Sequence, residues 1–597
     1  MSHRKLLALA LTTVGALAVT TLNAPASVAD DTRSTEPAQA SSSEYYEDYT
    51  TTIIVQLTDD APALAEMKER VSASVAAAVP GANVTGVREY THVLRGFAIR
   101  APMSALKAIK ATPGVKAAFK DRYSATVYDE YGSSNSGNKD KDHDPAHSAA
   151  MDMTAAAQAT HKGSGQVIEV IDTGFDTSHA AFAGPVEGAR LAQSDVASLT
   201  AGLGDGRGGG WVSAKIPFAY DYADGDADVS YPDPGQFPDQ TSDARYTHGT
   251  HVAALAAANG SEFRGAAPDA QLVMAKVLGD DDQEINDSVL LAALDDAAIL
   301  KPDVLIVSVG DNAGQNGDAL ATYADVYAAL TAQGIAINAP AGDYTSSAWG
   351  NWNRGDQPFA TDADYGAIIL PALDSNALAV ASLDEVDKRD GQPLADPSPS
   401  RFSSWGVTPD LRLKPEIAAP GGDVMSALPA GSYGRRAGTA EASAQVAGIA
   451  ALVRQRVATD PMFSGLSAEE KNAVVTNLLM GTAHPVVDTT RGGHTFYSPR
   501  KVGAGMVDAV AATTSSVYPT VVGAATPSRP KADLGDGTDG WTFQVQLTNV
   551  SDTAHTYTLG GQALSPTIEG NSFTFSSTDW TGTGIDLVFS ADSVTVP

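Results

Sequence analysis

Three short stretches of this chain carry side chains that could move protons. Asp172 closes the apolar run Val167-Ile168-Glu169-Val170-Ile171 and is followed by Thr173-Gly174. His248 stands ahead of an Ala-rich run, Val252 to Ala258, that Asn259-Gly260 ends. Gly438-Thr439-Ala440-Glu441 leads into the nearly continuous small and apolar segment Ala442 to Val453. The 597 residues include no cysteine, which excludes disulfides, thiolate metal sites and a sulfur nucleophile and leaves Ser, Thr, His and carboxylates for any chemistry. Taken alone, Asp172 reads as a strand-terminating residue. His248 and His251 have a spacing that could suit a metal, but the glutamate of the His-Glu-x-x-His pattern is missing, so no metal is read there.

The elements that would hold these residues follow from their apolar patterns. Strand-like runs at 167–172, 272–278, 303–310 and 334–339 alternate with helical segments at 288–300 and 319–333. That alternation predicts an α/β fold built on a doubly wound parallel sheet. In such sheets functional groups gather at the carboxyl ends of the strands, where Asp172 falls. The Gly438 stretch predicts a tight turn feeding a helix buried on all sides.

In order and context, Asp172, Thr247-His248-Gly249-Thr250-His251-Val252-Ala253 and Gly438-Thr439-Ala440-x-Ala442 resemble the three motifs of the subtilisin-like serine proteases, the subtilases. Lys215–Tyr222, Phe402-Ser403-Ser404-Trp405-Gly406, Lys414–Val424 and Ser498–Gly505 carry the resemblance toward the cell-envelope proteinase (lactocepin-type) branch. The resemblance implies a subtilisin-like domain in which aspartate orients histidine, and histidine deprotonates a serine that attacks a peptide carbonyl. It makes Ser308-Val309-Gly310 a substrate-binding strand. It puts an oxyanion donor at residue 343, where this chain has Asp343 in place of asparagine, and the nucleophile at residue 440, where it has Ala440. A carboxylate does not donate unless protonated, and loss of the nucleophile in such a triad costs roughly 10⁶-fold in kcat. Thr439 and Ser443 are not expected to substitute. The expectation is therefore a serine-type endopeptidase by family that is inactive as written, a pseudoprotease; the alternative is an active endopeptidase of the Asp-His-Ser type.

The flanks complete the expected organisation. Arg4-Lys5, an apolar run to about Val19 and small residues to Ala29 read as a signal peptide over 1–29, followed by a disordered leader over 30–50. Residues 51–125 have a β-α-β-β-α-β pattern, a small α+β domain that the resemblance makes an inhibitory propeptide, with a linker over 126–150. The subtilisin-like domain is placed at 151–520; alternating strands over 525–597 suggest a partial β-sandwich, expected to be truncated, which the resemblance makes fibronectin-like. The 39 Lys+Arg against 71 Asp+Glu give a net charge of −32, a surface that repels nucleic acid. Expected partners are an extended polypeptide and the chain's own propeptide, with no transmembrane segment after signal cleavage. The expected location is secreted or cell envelope, in a Gram-positive-type bacterium. No cofactor is certain; calcium is a lesser candidate at the acidic loops Asp221–Asp243 and Asp280–Asp287.

Overall fold

The computed structural model describes residues 49–124, 149–203, 209–232, 244–282, 284–310, 317–344, 368–384, 388–389, 392–393, 396–408, 412–493, 495–524, 529–534, 540–569 and 572–597. The signal peptide, leader and linker expected at 1–29, 30–50 and 126–150 lie outside the described residues, apart from 49, 50, 149 and 150.

The N-terminal unit has the element order expected from its sequence: β1 (Thr50–Leu57), α1 (Leu64–Ala78), β2 (Thr85–Tyr90), β3 (Gly96–Pro102), α2 (Leu106–Lys110) and β4 (Val115–Lys120). They form an antiparallel sheet in the order β2-β3-β1-β4. Alternation along β1 splits its side chains between two cores. Ile53, Val55 and Leu57 pack with Met67, Val71 and Val75 of α1, while Ile54 faces the body of the protein. The apolar run from Val93 predicts a strand starting there, yet β3 begins only at Gly96. The backbone N–H groups of Val93 and Leu94 are turned to the Asp295 carboxylate instead of a neighbouring strand.

The body is a seven-stranded sheet, parallel throughout. In chain order its strands are β5 (Val167–Asp172), β6 (Phe218–Asp221), β7 (Gln271–Lys276), β8 (Val304–Val307), β9 (Ala336–Pro340), β10 (Ala377–Asp384) and β11 (Ile417–Gly422). In space they run β11-β10-β9-β8-β5-β7-β6. Strand order reverses beside β5, so the carboxyl end of β5 is the switch point at which open α/β sheets form their clefts. The strands are apolar on both faces because both are covered. Ile168, Val170, Leu272, Met274, Val304 and Ile306 pack under α3 (Ala244–Ala257) and α6 (Thr439–Thr459). Their neighbours Val167, Ile171, Val273, Ala275, Leu305 and Val307 face α4 (Asp287–Leu300) and α5 (Asp318–Ala332). Helix α6 is buried along almost its whole length, as its composition predicts, and it approaches α3 closely. A Cβ on Gly448 would stand 2.5 Å from the Ala256 carbonyl oxygen, so only glycine permits that crossing.

The N-terminal unit docks on α4 and α5. Asp295, on α4, accepts hydrogen bonds from the backbone N–H groups of Thr91, His92, Val93 and Leu94 at 2.8–3.2 Å. Asp121 accepts from the Ser288 N–H at 3.0 Å, satisfying an amide in the first turn of α4. Arg122 Nε pairs with Asp287 at 2.9 Å, and Gln56 donates to Asp325 on α5 at 2.7 Å. Beyond the body, residues 517–596 contribute three antiparallel strand pairs: Val517–Val521 with Val545–Asn549, His555–Thr558 with Ser593–Val596, and Leu564–Glu569 with Ser572–Asp579. Among the described residues no helix is long and apolar enough to cross a membrane.

Candidate active site

The expected site residues meet at the carboxyl edge of the sheet. Asp172 is the last residue of β5 and is fully buried. Its Oδ1 accepts from the Thr173 N–H at 2.6 Å and lies 2.7 Å from His248 Nδ1. His248 sits in the second turn of α3 rather than at its head, because the helix begins at Ala244. With Nδ1 committed to Asp172, Nε2 is the nitrogen that faces a reactant. Gly249 makes the approach possible: a Cβ there would lie 2.3 Å from the Gly174 carbonyl oxygen and 3.2 Å from Asp172 Oδ1. Backbone cannot yield cheaply, so Gly249→Ala is expected to cost about 1–3 kcal/mol by overpacking and to part His248 from Asp172. Calorimetry checks this; an unchanged melting temperature would show that the contact has slack.

Ala440 is the second residue of α6 and is fully buried. The helix starts after Gly438, which has no side chain to cap it, and the cap comes from across the cleft. Asp343, three residues past the end of β9, takes the Thr439 N–H at 3.0 Å and the Thr439 hydroxyl at 2.9 Å on its Oδ1. The carboxylate that replaces the expected donor is thus an acceptor, turned toward the amide immediately before Ala440. Thr439 is engaged with Asp343, and Ser443 is buried with an Oγ that has no hydrogen-bond partner. Ser308, Val309 and Gly310 extend past the end of β8, beside the strand that carries Asp172, and are buried.

Sequence reasoning missed Glu441. It is 2% exposed, and its Oε1 lies 3.2 Å from His251 Nδ1, off the line of a good hydrogen bond. The ring's other nitrogen, Nε2, faces the carbonyl oxygens of Val424 at 3.1 Å and Gly434 at 3.3 Å. Burial alone would raise the Glu441 carboxyl, but His251, His248 and Arg436 outweigh it and hold the group at about 2. Burial likewise opposes a charge on His248, yet Asp172 first and Glu441 after it push the imidazole up to about 9, against Arg436. The available signal was a lone acid in the first turn of a helix otherwise destined for the core, since such a charge is buried only when paired.

Among the described residues, two clusters have the composition of a cation site. Asp221, Asp224 and Asp280, from the acidic loops, surround Lys276, whose ammonium is 2.6 Å from Asp221, 3.8 Å from Asp224 and in contact with Asp280. The cation at that cluster is the chain's own. His92, Asp295 and Asp296 also converge, but both oxygens of Asp295 are already filled by the four backbone N–H groups of residues 91–94.

A buried Asp–His pair at the switch point of a parallel α/β sheet, facing the start of a buried helix, is the framework of a hydrolase of the serine-triad class. The family model of the subtilases matches residues 163–505, and the chain belongs to that family. It is 24% identical over 643 residues to the PII-type proteinase of Lacticaseibacillus paracasei, an alignment that covers 82% of this chain and 32% of that protein. A PI-type proteinase of Lactococcus lactis subsp. cremoris is similar to the same degree, and the C5a peptidase of a Streptococcus pyogenes serotype M6 strain is 34% identical over 154 residues, 26% of this chain and 11% of that protein. The chain spans about a third of the length of the two proteinases.

Proposed function

We propose that this chain is a secreted or cell-envelope subtilase homologue that has lost the peptidase step and keeps a groove for extended polypeptide. The observation that carries the reading is the chemistry around residue 440: a buried methyl group stands where the family's motif puts its hydroxyl, between Thr439 bonded to Asp343 and Glu441 against His251. The Asp172–His248 pair remains at 2.7 Å, with no nucleophile for it to activate. Asp343 adds negative charge where the oxyanion would form. A cavity of about 460 Å³, lined by Phe175, Asp176, Tyr231 and Tyr246 among others, adjoins the Asp172 and His248 segments and supports retained ligand binding.

The unit over 51–125 is read as a propeptide that stays in place. Its docking through Asp295 and Asp121 supports that reading, as does the pairing of Tyr123–Ser124 with Ile285–Asn286 on the body as the chain leaves the unit. The organisms of the relatives support a Gram-positive-type source, and the apolar N-terminal run supports export. The intact Asp–His pair is what favours the alternative, an active serine endopeptidase.

The test is casein hydrolysis and intact-mass analysis of the purified, refolded chain. The expected result is no hydrolysis and an N-terminal unit that remains covalently attached unless another protease is supplied. A mature N-terminus appearing near residues 125–150 without added protease would overturn the proposal. Ala440→Ser is expected to give measurable hydrolysis, well below that of an ordinary subtilase.

A further inference from the structure

We propose that the cavity beside the Asp172 and His248 segments is a subsite for a guanidinium, so that the polypeptide this chain holds is selected by an arginine side chain seated there. The inference rests on the reading above in taking extended polypeptide as the ligand, and it adds the chemistry that chooses it.

The cavity, at about 460 Å³, falls within the range of roughly 300–1,000 Å³ usual for small-ligand sites. Four segments form it. Phe175 and Asp176 follow Asp172 at the end of β5, and Tyr246 precedes His248 in the first turn of α3. Pro429-Ala430 lies between the strands Val424–Leu428 and Ser432–Arg436, and the run from Asp228 to Tyr231 closes the remaining side. Hydrogen bonds tie these segments together. The Phe175 N–H donates to the Val229 carbonyl at 2.7 Å, and the Ala430 N–H donates to Asp176 Oδ2 at 3.0 Å. The walls are therefore held in place by the fold and not by a ligand.

The lining combines carboxylates with aromatic rings. Asp176 and Asp228 bring negative charge, Phe175, Tyr231 and Tyr246 bring ring surface, and no basic residue is among the described residues that line the cavity. Both carboxylates are pre-set. Asp176 Oδ1 accepts from the Ser178 N–H at 3.1 Å and its hydroxyl at 2.7 Å, and Asp228 Oδ1 accepts from the Ser230 N–H at 3.0 Å and its hydroxyl at 2.7 Å. The Ser230 bonds, with a smaller pull from Lys276, hold the Asp228 carboxyl below its ordinary value, so it is ionised at neutral pH. Asp228 is also exposed, within reach of an entering group.

Charge and ring together favour a cation that is flat. A guanidinium pairs with a carboxylate through two parallel N–H groups, stacks on aromatic faces and is more weakly hydrated than an ammonium. The ring of Tyr231 already meets one cation, since Lys276 Nζ lies 5.9 Å from its centroid. That ammonium is neutralised by Asp221 at 2.6 Å and by contact with Asp280, and so leaves Asp176 and Asp228 to a ligand.

The test uses the natural full chain and fluorescein-labelled heptapeptides of glycine and alanine whose central residue is arginine, lysine or citrulline, the last keeping the shape of arginine without its charge. By anisotropy the arginine peptide is expected to bind about tenfold or more tightly than the citrulline peptide, with lysine between them. Equal affinity for arginine and citrulline overturns the proposal. Because a net charge of −32 favours any cationic peptide, two variants locate the effect. Asp228→Asn removes the charge while keeping an oxygen for Ser230, and Tyr246→Leu removes a ring; each is expected to cut the arginine preference about threefold or more. A preference that survives both variants undiminished belongs to the overall charge and also overturns the proposal. The comparison of peptides on the natural chain needs no variant to fold. Cleavage of any peptide would overturn the pseudoprotease reading and leave the arginine preference measurable, so the two failures are distinguishable.

Discussion

Asp295→Ala is expected to release the N-terminal unit from the body. Both oxygens of Asp295 are occupied by backbone N–H groups of residues 91–94, four donors converging on one carboxylate at the core-facing tip between β2 and β3. Removing the acceptor leaves these amides without their partner, at about 1–3 kcal/mol for each that stays buried. The other polar contacts of the unit lie further off: Asp121 and Arg122, on the N-terminal side, act at the first turn of α4, on Ser288 and Asp287. Hydrogen-exchange mass spectrometry of the full chain should show the amides of residues 91–94 losing protection, and limited proteolysis should clip the unit over 50–124 faster. Asp295→Asn, which keeps one acceptor but points an NH₂ at the other donors, should fall between. Unchanged exchange in Asp295→Ala would mean that apolar contact by Ile54, Tyr90, Leu94 and Phe119 holds the unit by itself.

Glu416→Ala is expected to destabilise the body to a similar extent. Glu416 is 1% exposed and accepts from the Ala379 N–H at 2.8 Å, from Lys414 Nζ at 3.0 Å and from Lys531 Nζ at 2.9 Å, with Arg529 near. Burial would raise its carboxyl, but these three cations hold it at about 2. Without the carboxylate, buried ammonium groups lose their counter-charge and one strand amide its acceptor, a loss of about 3–5 kcal/mol. In calorimetry this should lower the melting temperature by roughly 5–10 °C, and the segment carrying Arg529 and Lys531 should become more accessible to protease. A fall of less than about 2 °C would show that water or another group repairs the cluster.

The architecture was readable because its signals are long and redundant: apolar runs covered on both faces mark parallel strands, and a helix without a polar stripe marks the core. Asp172, His248, Asp343 and Ala440 could be singled out because each sits in a motif with its own local pattern. What escaped were charges whose partners are distant in sequence. Glu441 meets His251, 190 positions earlier, and Asp295 meets a loop some 200 positions earlier, separations at which neither helical nor strand periodicity says anything. The same limit explains the start of β3. Strand propensity in Val93-Leu94 is overridden by a carboxylate supplied from another element.

Helix α6 has a consequence for time as well as for structure. Its side chains rest on β5, β8, β9, β10 and β11, on α3 and α7 (Ala468–Gly481) and on the short helix Ala509–Thr514, so it draws on chain from residue 167 to residue 514. Contacts of such long range must be closed against the loss of chain entropy before they return any stability, which makes folding slow. The same interlocking means that α6 cannot leave without opening the sheet on which it lies. The operational measure of this protein's durability is therefore a half-life set by the unfolding barrier, and substitutions along α6 should show in the rate of loss on heating sooner than in any equilibrium population.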